Sequence, residues 1–188
     1  MNSVWPATRH KETRLDEIKD KVLVHDATLC TGCMRCMTSC STYNFGATSF
    51  TKSRIQIIRH EGHAITRIDE PDELIFQPMM CQQCDKPRCQ DFCPAHALDR
   101  DPKTRAMKVN YDRCLGCRQC MVVCPFGAMR YDTTRRKIFK CELCDGDPQC
   151  VKMCPVGALQ FLPKDVANMP KINTLSRKMI QAQRVPPE

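Results

Sequence analysis

Cysteine is the residue that most constrains this chain, because its 16 copies fall into four groups of four. The first and third groups have the spacing C-x2-C-x2-C-x3-C, and the second and fourth groups have two and three additional residues in the middle gap. No cysteine is left over, so every thiol belongs to one repeated kind of site. The groups are Cys30, Cys33, Cys36 and Cys40; Cys81, Cys84, Cys89 and Cys93; Cys114, Cys117, Cys120 and Cys124; and Cys141, Cys144, Cys150 and Cys154.

The spacing within a group is typical of bacterial ferredoxins, in which such runs hold [4Fe–4S] clusters. Three thiolates at intervals of three residues in a tight loop surround one face of a cube, and the fourth cysteine serves a different cluster. Gly116 lacks a Cβ where the backbone must approach closely. Pro125 indicates that Cys124 stands at the start of a short helix. The sequence therefore predicts four [4Fe–4S] clusters, whose iron is held by the 16 cysteines.

Zinc sites and disulfides are the two other uses of paired cysteines. Zinc is usually held by two C-x2–4-C pairs that are separated by a longer stretch. Here only three residues separate the last two cysteines of each group, and three groups end in Cys-Pro. Disulfide frameworks belong mainly to small secreted domains. The spacing favours clusters over both alternatives.

The formal net charge of +8 does not indicate nucleic-acid binding, because it counts every cysteine as neutral. A [4Fe–4S]²⁺ core with four thiolates carries about −2, so four clusters contribute about −8 and offset the excess of basic side chains. The sequence also lacks an arginine-rich run or an aromatic ladder. We therefore expect no nucleic-acid partner.

The apolar content is low for a core of ordinary size. Hydrophobic residues make up 42% of the chain, a figure that includes the 16 cysteines, and aromatic residues make up only 6%. Small proteins of this kind are commonly held together by metal sites, so we expect the chain without clusters to unfold. No secretory h-region and no apolar run of about 20 residues is present. We expect a soluble, cytoplasmic protein.

The four cysteine groups resemble the four-cluster ferredoxin subunits of dimethyl sulfoxide reductase, formate dehydrogenase and hydrogenase complexes. The resemblance covers about residues 22–163. Cys30–Cys33, Ser53–Ile55 and Cys141–Pro148 are most similar to the branch that accompanies tungsten-dependent aldehyde oxidoreductases and benzoyl-CoA reductases. It implies an α+β fold, in which tandem, interleaved bacterial-type 2[4Fe–4S] ferredoxin folds place short strands and helices around four clusters.

The resemblance also implies which cysteines share a cluster. The first and fourth groups would form one two-cluster unit, and the second and third groups another. An outer pair and an inner pair of clusters would then form a wire. The implied ligand sets are Cys30, Cys33, Cys36 and Cys154 for cluster 1; Cys141, Cys144, Cys150 and Cys40 for cluster 2; Cys81, Cys84, Cys89 and Cys124 for cluster 3; and Cys114, Cys117, Cys120 and Cys93 for cluster 4.

Residues outside the cysteine-rich part form two flanking segments. Residues 1–21 form a polar N-terminal extension without cysteine, and residues 164–188 form a C-terminal tail that we expect to dock on a partner, with packing on its own domain as the alternative. In this tail, apolar side chains recur at helical spacing. They are Ile172, Leu175, Met179 and Ile180.

The sequence predicts single-electron transfer by a subunit that has no catalytic residues of its own. It contains no phosphate-binding loop and no dinucleotide fingerprint, and no cysteine is free to act as a nucleophile. The expected partners are a large catalytic oxidoreductase subunit with a tungsten- or molybdenum-pterin cofactor, in anaerobic metabolism, and a second electron carrier or flavin subunit. Self-association is compatible with the sequence. The alternatives are a free-standing polyferredoxin and a cluster-based redox sensor or assembly protein.

Overall fold

A computed structural model of the chain describes residues 20–60 and 75–167, together with Met169, Ile172 and Ser176. All 16 cysteines lie within these ranges. Nearly all of the predicted N-terminal extension lies outside the described residues. So do Leu175, Met179 and Ile180, and with them the helix predicted for the tail.

Short antiparallel strands pair two by two. The first and last described strands, β1 (Lys21–His25) and β8 (Leu159–Pro163), pair from Lys21 opposite Pro163 to His25 opposite Leu159, which joins the two ends of the cysteine-rich part. The other pairs join strands that follow one another in the chain, and each pair lies between two consecutive cysteine groups. The pairs are β1 (Lys21–His25) with β8 (Leu159–Pro163), β2 (Gln56–His60) with β3 (Ile75–Met79), β4 (Leu98–Arg100) with β5 (Met107–Val109), and β6 (Arg130–Asp132) with β7 (Lys137–Phe139).

Four α-helices occupy the same position in the four cysteine groups. Each begins one residue before the third cysteine of its group, and a 3-10 helix, Leu143–Gly146, also lies in the fourth group. Short strands and few helices are compatible with a ferredoxin-like fold. The α-helices are α1 (Arg35–Phe45), α2 (Arg88–Asp91), α3 (Gln119–Val123) and α4 (Gln149–Lys152).

The expectation that Cys124 starts a helix is wrong, because α3 ends at Val123, directly before it. Cys124 has an extended backbone with φ −77° and ψ 112°. A residue that precedes proline is pushed away from helical dihedral angles, and Pro125 imposes this restriction on Cys124. The proline therefore ends the helix between the third and fourth cysteines instead of opening a new one.

Two main clusters of buried apolar side chains organise the packing, and cysteines belong to both. Around the first and fourth groups, α1 packs against α4 and the cluster includes Cys36, Cys40 and Cys150. Around the second and third groups, α2 packs against α3 and the cluster includes Cys114 and Cys120. The described core is thus built around thiol groups, as the low apolar content predicts.

Candidate metal centres

The four cysteine loops share one backbone feature, a positive φ at the residue directly before the second cysteine. The φ values are 66° at Gly32, 51° at Gln83, 68° at Gly116 and 58° at Leu143. Left-handed backbone is rare for residues with a side chain, so its recurrence at four equivalent positions indicates a common loop shape. In each loop it turns the chain between the first two cysteines.

Three cysteines of the first group lie beside the last cysteine of the fourth group. The pKa of Cys36 is raised to about 12, first by burial and then by the charges of Cys30, Cys33 and Cys154. The same four residues line one small cavity. We call these four residues set A.

The third group stands in the same relation to the second. Burial and then nearby thiolates raise the pKa of Cys120 to about 12, and these thiolates include Cys114, Cys117 and Cys93. A second small cavity is lined by the same four cysteines. These residues are set D.

The remaining cysteines gather in two further sets. Set B is Cys40, Cys141, Cys144 and Cys150, and set C is Cys81, Cys84, Cys89 and Cys124. In set B, burial raises the pKa of Cys150 well above its ordinary value, and the charges of the other three members add to the shift. In set C, the pKa values of Cys84 and Cys89 are raised by burial first and then by Cys81, with a further contribution from Cys124.

The same interactions join the sets in one order. Cys36 of set A also raises the pKa of Cys150 in set B. Cys81 of set C acts on Cys141 of set B, whose pKa burial raises to about 12. Cys89 of set C acts on Cys120 of set D. Each set therefore lies within electrostatic reach of the next, in the order A, B, C, D.

Among the backbone N–H groups that approach cysteine sulfur atoms, two form hydrogen bonds with clear geometry. The N–H of Arg54 donates to Sγ of Cys40 at 3.3 Å, and the N–H of Ala97 donates to Sγ of Cys93 at 3.4 Å. Both acceptors are the fourth cysteines of their groups. Hydrogen bonds to sulfur are one of the means by which a protein sets the potential of an iron–sulfur centre.

The donor chemistry of the four sets fits iron–sulfur clusters. Sulfur-only ligand sets suit iron–sulfur clusters and zinc, and metal binding requires the thiolate form. Burial and mutual repulsion both disfavour that form, so each set gains from a cationic centre that compensates four negative sulfurs. Within residues 20–60 and 75–167, no three histidine, cysteine, aspartate or glutamate side chains stand close enough to hold a single metal ion.

An ion pair beside set B was not anticipated from the sequence. Arg54 and Glu142 are 2.8 Å apart, with 11% and 16% of their side chains exposed. Glu142 also accepts a hydrogen bond from the N–H of Val109 at 3.2 Å. These contacts join the first and fourth groups to the strand before the third. The sequence signal was that both residues lie in stretches that carry the family resemblance, Ser53–Ile55 and Cys141–Pro148.

Two family models match the chain. Residues 72–164 match a 4Fe-4S dicluster domain, and residues 27–43 match a 4Fe-4S binding domain. The first segment contains the second, third and fourth cysteine groups, and the second segment contains the first. Both models describe sequences that bind [4Fe–4S] clusters.

Three curated relatives are each similar over 63% or 64% of this chain. The hydrogenase-2 operon protein HybA of Escherichia coli O157:H7 is 32% identical over 138 residues, and the chain covers 42% of it. The beta subunit of NADH-dependent phenylglyoxylate dehydrogenase from Aromatoleum evansii is 34% identical over 120 residues, with 25% of it covered. The ferredoxin-like protein YdhY of Escherichia coli K12 is 33% identical over 123 residues, with 59% covered. The chain thus spans between 25% and 59% of the length of these relatives.

In the part of the chain that the structure describes, every helix is too short or too polar to cross a membrane.

Proposed function

We propose that this [4Fe–4S]-binding, ferredoxin-like chain is a non-catalytic electron-transfer subunit of an oxidoreductase complex. The observation that carries the proposal is the succession of four sulfur sets, each within electrostatic reach of the next. Bound [4Fe–4S] clusters supply one-electron redox chemistry. The chain's own residues hold the sulfur atoms in place, partly exclude water and tune the local charge.

Each set is proposed to hold one cluster, so that the chain carries four. The sets are the ligand sets that the family resemblance implies, A for cluster 1, B for cluster 2, C for cluster 3 and D for cluster 4. Support comes from the mutual effects of their thiols and from the cavities that sets A and D line. The sets would form two ferredoxin-like units, A with B and C with D.

The two ends of the succession are proposed to face the redox partners. Cys33 of set A and Cys117 of set D are the exposed cysteines of the chain. Large apolar side chains are exposed beside set D, where Leu115 and Val122 are 72% and 82% exposed. Beside set A, Leu29 is 43% exposed. Contiguous exposed apolar surface commonly marks protein contacts, and we propose that these residues belong to such contacts.

The proposed partner at one end is a large catalytic subunit with a tungsten- or molybdenum-pterin cofactor, in anaerobic cytoplasmic metabolism. At the other end it is a second electron carrier or a flavin subunit. The tungsten branch is supported by the resemblance in Ser53–Ile55 and Cys141–Pro148, a region that includes the Arg54–Glu142 ion pair. The proposed domain is residues 22–163, with residues 164–188 as a docking tail. The pairing of Lys21 with Pro163 supports these limits.

Relay through the chain is tested with the natural complex, purified without oxygen, and with the same complex carrying Cys117→Ala. We expect the variant to lose transfer between the catalytic subunit and the natural carrier, because set D would no longer hold its cluster. Reduction of an artificial dye that accepts electrons directly from the catalytic subunit should stay largely intact. Unchanged transfer to the natural carrier would contradict an obligatory path through set D.

Purification also separates the relay from its alternatives. The relay predicts that a cofactor-bearing large subunit co-purifies consistently and that about 16 irons are bound per chain. A chain that is always isolated alone with four clusters is a free-standing polyferredoxin. A single labile cluster, with the other sets empty, would replace the proposal with a redox sensor.

A further inference from the structure

Lys140 is a charged side chain that is completely buried. It follows strand β7, directly precedes Cys141, and is 0% exposed. Its Nζ donates to the carbonyl oxygen of Met107 and, at 2.7 Å, to that of Cys141. Among the described residues, no aspartate or glutamate forms an ion pair with it. Its charge is therefore met by carbonyl oxygens and not by a carboxylate.

Lys140 lies where sets B and C meet. Its charge lowers the pKa of Cys141 in set B and that of Cys89 in set C, against the larger effect of burial on both thiols. The contact to Cys141 is part of a buried network that also reaches the loop of set C. There, Gln83 donates to the carbonyl of Cys141 at 3.0 Å and accepts from the N–H of Met107 at 2.8 Å.

A buried ammonium group without a counter-ion is costly, because it loses its hydration. Two carbonyl groups compensate only part of that loss. A [4Fe–4S] centre with its four thiolates is anionic, and reduction adds one more negative charge. A fixed cation between two such centres is therefore stabilised by both, and it stabilises their reduced forms more than their oxidised forms.

We propose that Lys140 is the shared counter-charge of the two inner centres, held by sets B and C, and that it raises the reduction potentials of both. The proposal rests on the electron-transfer function proposed above. In this proposal, the charge of Lys140 stabilises an electron that arrives at the junction between the two proposed ferredoxin-like units. Because Lys140 is completely buried in the chain, its proposed role lies inside the relay.

The test is a potentiometric titration of the full-length chain, followed by EPR without oxygen, for the unmodified protein and for Lys140→Met. Methionine approximates the length of lysine without its charge. We expect the reduced-to-oxidised ratio of two centres, at a fixed potential, to fall at least tenfold, which equals 59 mV for a one-electron couple. The two affected centres should be the signals that are lost in Cys144→Ala and in Cys84→Ala, which disable sets B and C.

Lys137→Met is the matched control. The Nζ of Lys137 also donates to a cysteine carbonyl, that of Cys114 in set D, at 2.6 Å, but this side chain is only half-buried. Solvent screens a charge at such a position, so we expect less than about a threefold change in any ratio. Equal shifts in the two methionine variants would contradict a special role for the buried lysine.

Two further variants separate charge from structure. Lys140→Gln keeps a donor without the charge and should lower the same two potentials, whereas Lys140→Arg should leave them close to those of the unmodified protein. Loss of clusters in both neutral variants would assign Lys140 a structural role and overturn the proposal. Four centres with unchanged potentials in Lys140→Met would also overturn the proposal for Lys140, but the proposed electron-transfer function would still stand. Absence of four centres from the unmodified chain would instead refute the proposed function.

Discussion

The first and third cysteine groups have the same spacing, yet their helices differ in length. Helix α1 has 11 residues and runs through Cys40 to Phe45, whereas α3 has five residues and stops before Cys124. Both are preceded by a residue in left-handed conformation, Met34 and Arg118. The difference begins at the residue after the fourth cysteine, which is serine in the first group and proline in the third.

Serine at this position allows the helix to continue and also supports the chain that follows. Ser41 is 0% exposed, and its Oγ accepts a hydrogen bond from the N–H of Ser49 at 3.0 Å. Proline has no N–H and would clash with the preceding turn. The comparison shows that one residue outside the ligand set decides whether a cluster loop ends in a turn or in a helix.

The additional turns of α1 make contact with strand β7, between the third and fourth cysteine groups. The ring of Phe45 meets that of Phe139 edge to face, with centroids 5.1 Å apart. Phe139 ends strand β7, directly before Lys140, and is 3% exposed. The longer helix therefore connects the first group to the junction of sets B and C, a contact that the short α3 does not make.

The largest expected effect is the loss of a cluster, which tests how the fourth cysteines are shared. Cys40→Ala should remove the same EPR signal as Cys144→Ala, because both residues belong to set B. It should leave the signal that disappears in Cys33→Ala, although Cys33 is its neighbour in sequence. The iron content should fall from about 16 to about 12 per chain. Identical spectra for Cys40→Ala and Cys33→Ala would contradict the crossed pairing.

Ser41→Pro should impose the short helix of the third group on the first. Proline inside a helix removes one hydrogen bond and clashes with the carbonyl group four residues earlier, so we expect a loss of about 3 kcal/mol in unfolding free energy. Urea unfolding, followed by the iron–sulfur absorbance, measures it. Ser41→Ala is the control and should cost less, about 1–2 kcal/mol, for the two hydrogen bonds of the Ser41 hydroxyl, to the Thr38 carbonyl and from the Ser49 N–H. Equal losses in the two variants would show that helix continuation is not what Ser41 provides.

Gly32 in the loop of the first cysteine group and Gly116 in the loop of the third should differ in how much substitution by alanine destabilises the protein. A Cβ on Gly116 would lie 2.2 Å from the carbonyl oxygen of Arg136, whereas one on Gly32 would meet the side chain of Phe76. Both have a positive φ, which costs alanine about 1–2 kcal/mol. Because a ring moves more easily than a backbone carbonyl, we expect Gly116→Ala to cost more than Gly32→Ala. Thermal unfolding of the two variants checks this order, and the reverse order would contradict it.

Phe45→Leu should have the smallest effect, because it keeps an apolar side chain and loses only contacts of the ring, the edge-to-face pair with Phe139 and the cation–π contacts with Lys52, Arg54 and Arg135. Edge-to-face pairs contribute about 0.5–1.5 kcal/mol, and we expect a loss of that size in urea unfolding. Tyr43→Leu is the control on the same helix, since Tyr43 is 54% exposed. A loss in the control as large as that in Phe45→Leu would remove the argument that α1 joins the first group to strand β7.

The sequence predicted the loops well and their surroundings poorly. The spacing of the cysteines predicts the shape of each loop, because its first three cysteines lie close together in the sequence. The four groups and the role of Gly116 could therefore be recognised. The prediction that a helix starts at Cys124 was wrong, because proline is common both in the first turn of a helix and shortly after the end of one. The contacts of Phe45, Arg54 and Lys140 join parts of the chain that are far apart in sequence, and no periodic pattern marks such residues.

Iron and acid-labile sulfide analysis of the full-length chain, together with EPR of the dithionite-reduced protein, tests the central claim most directly. The account predicts about 16 irons and 16 sulfides per chain and four reducible centres that interact magnetically. A folded, colourless protein without iron, or one whose cysteines hold zinc or form disulfides, would contradict it.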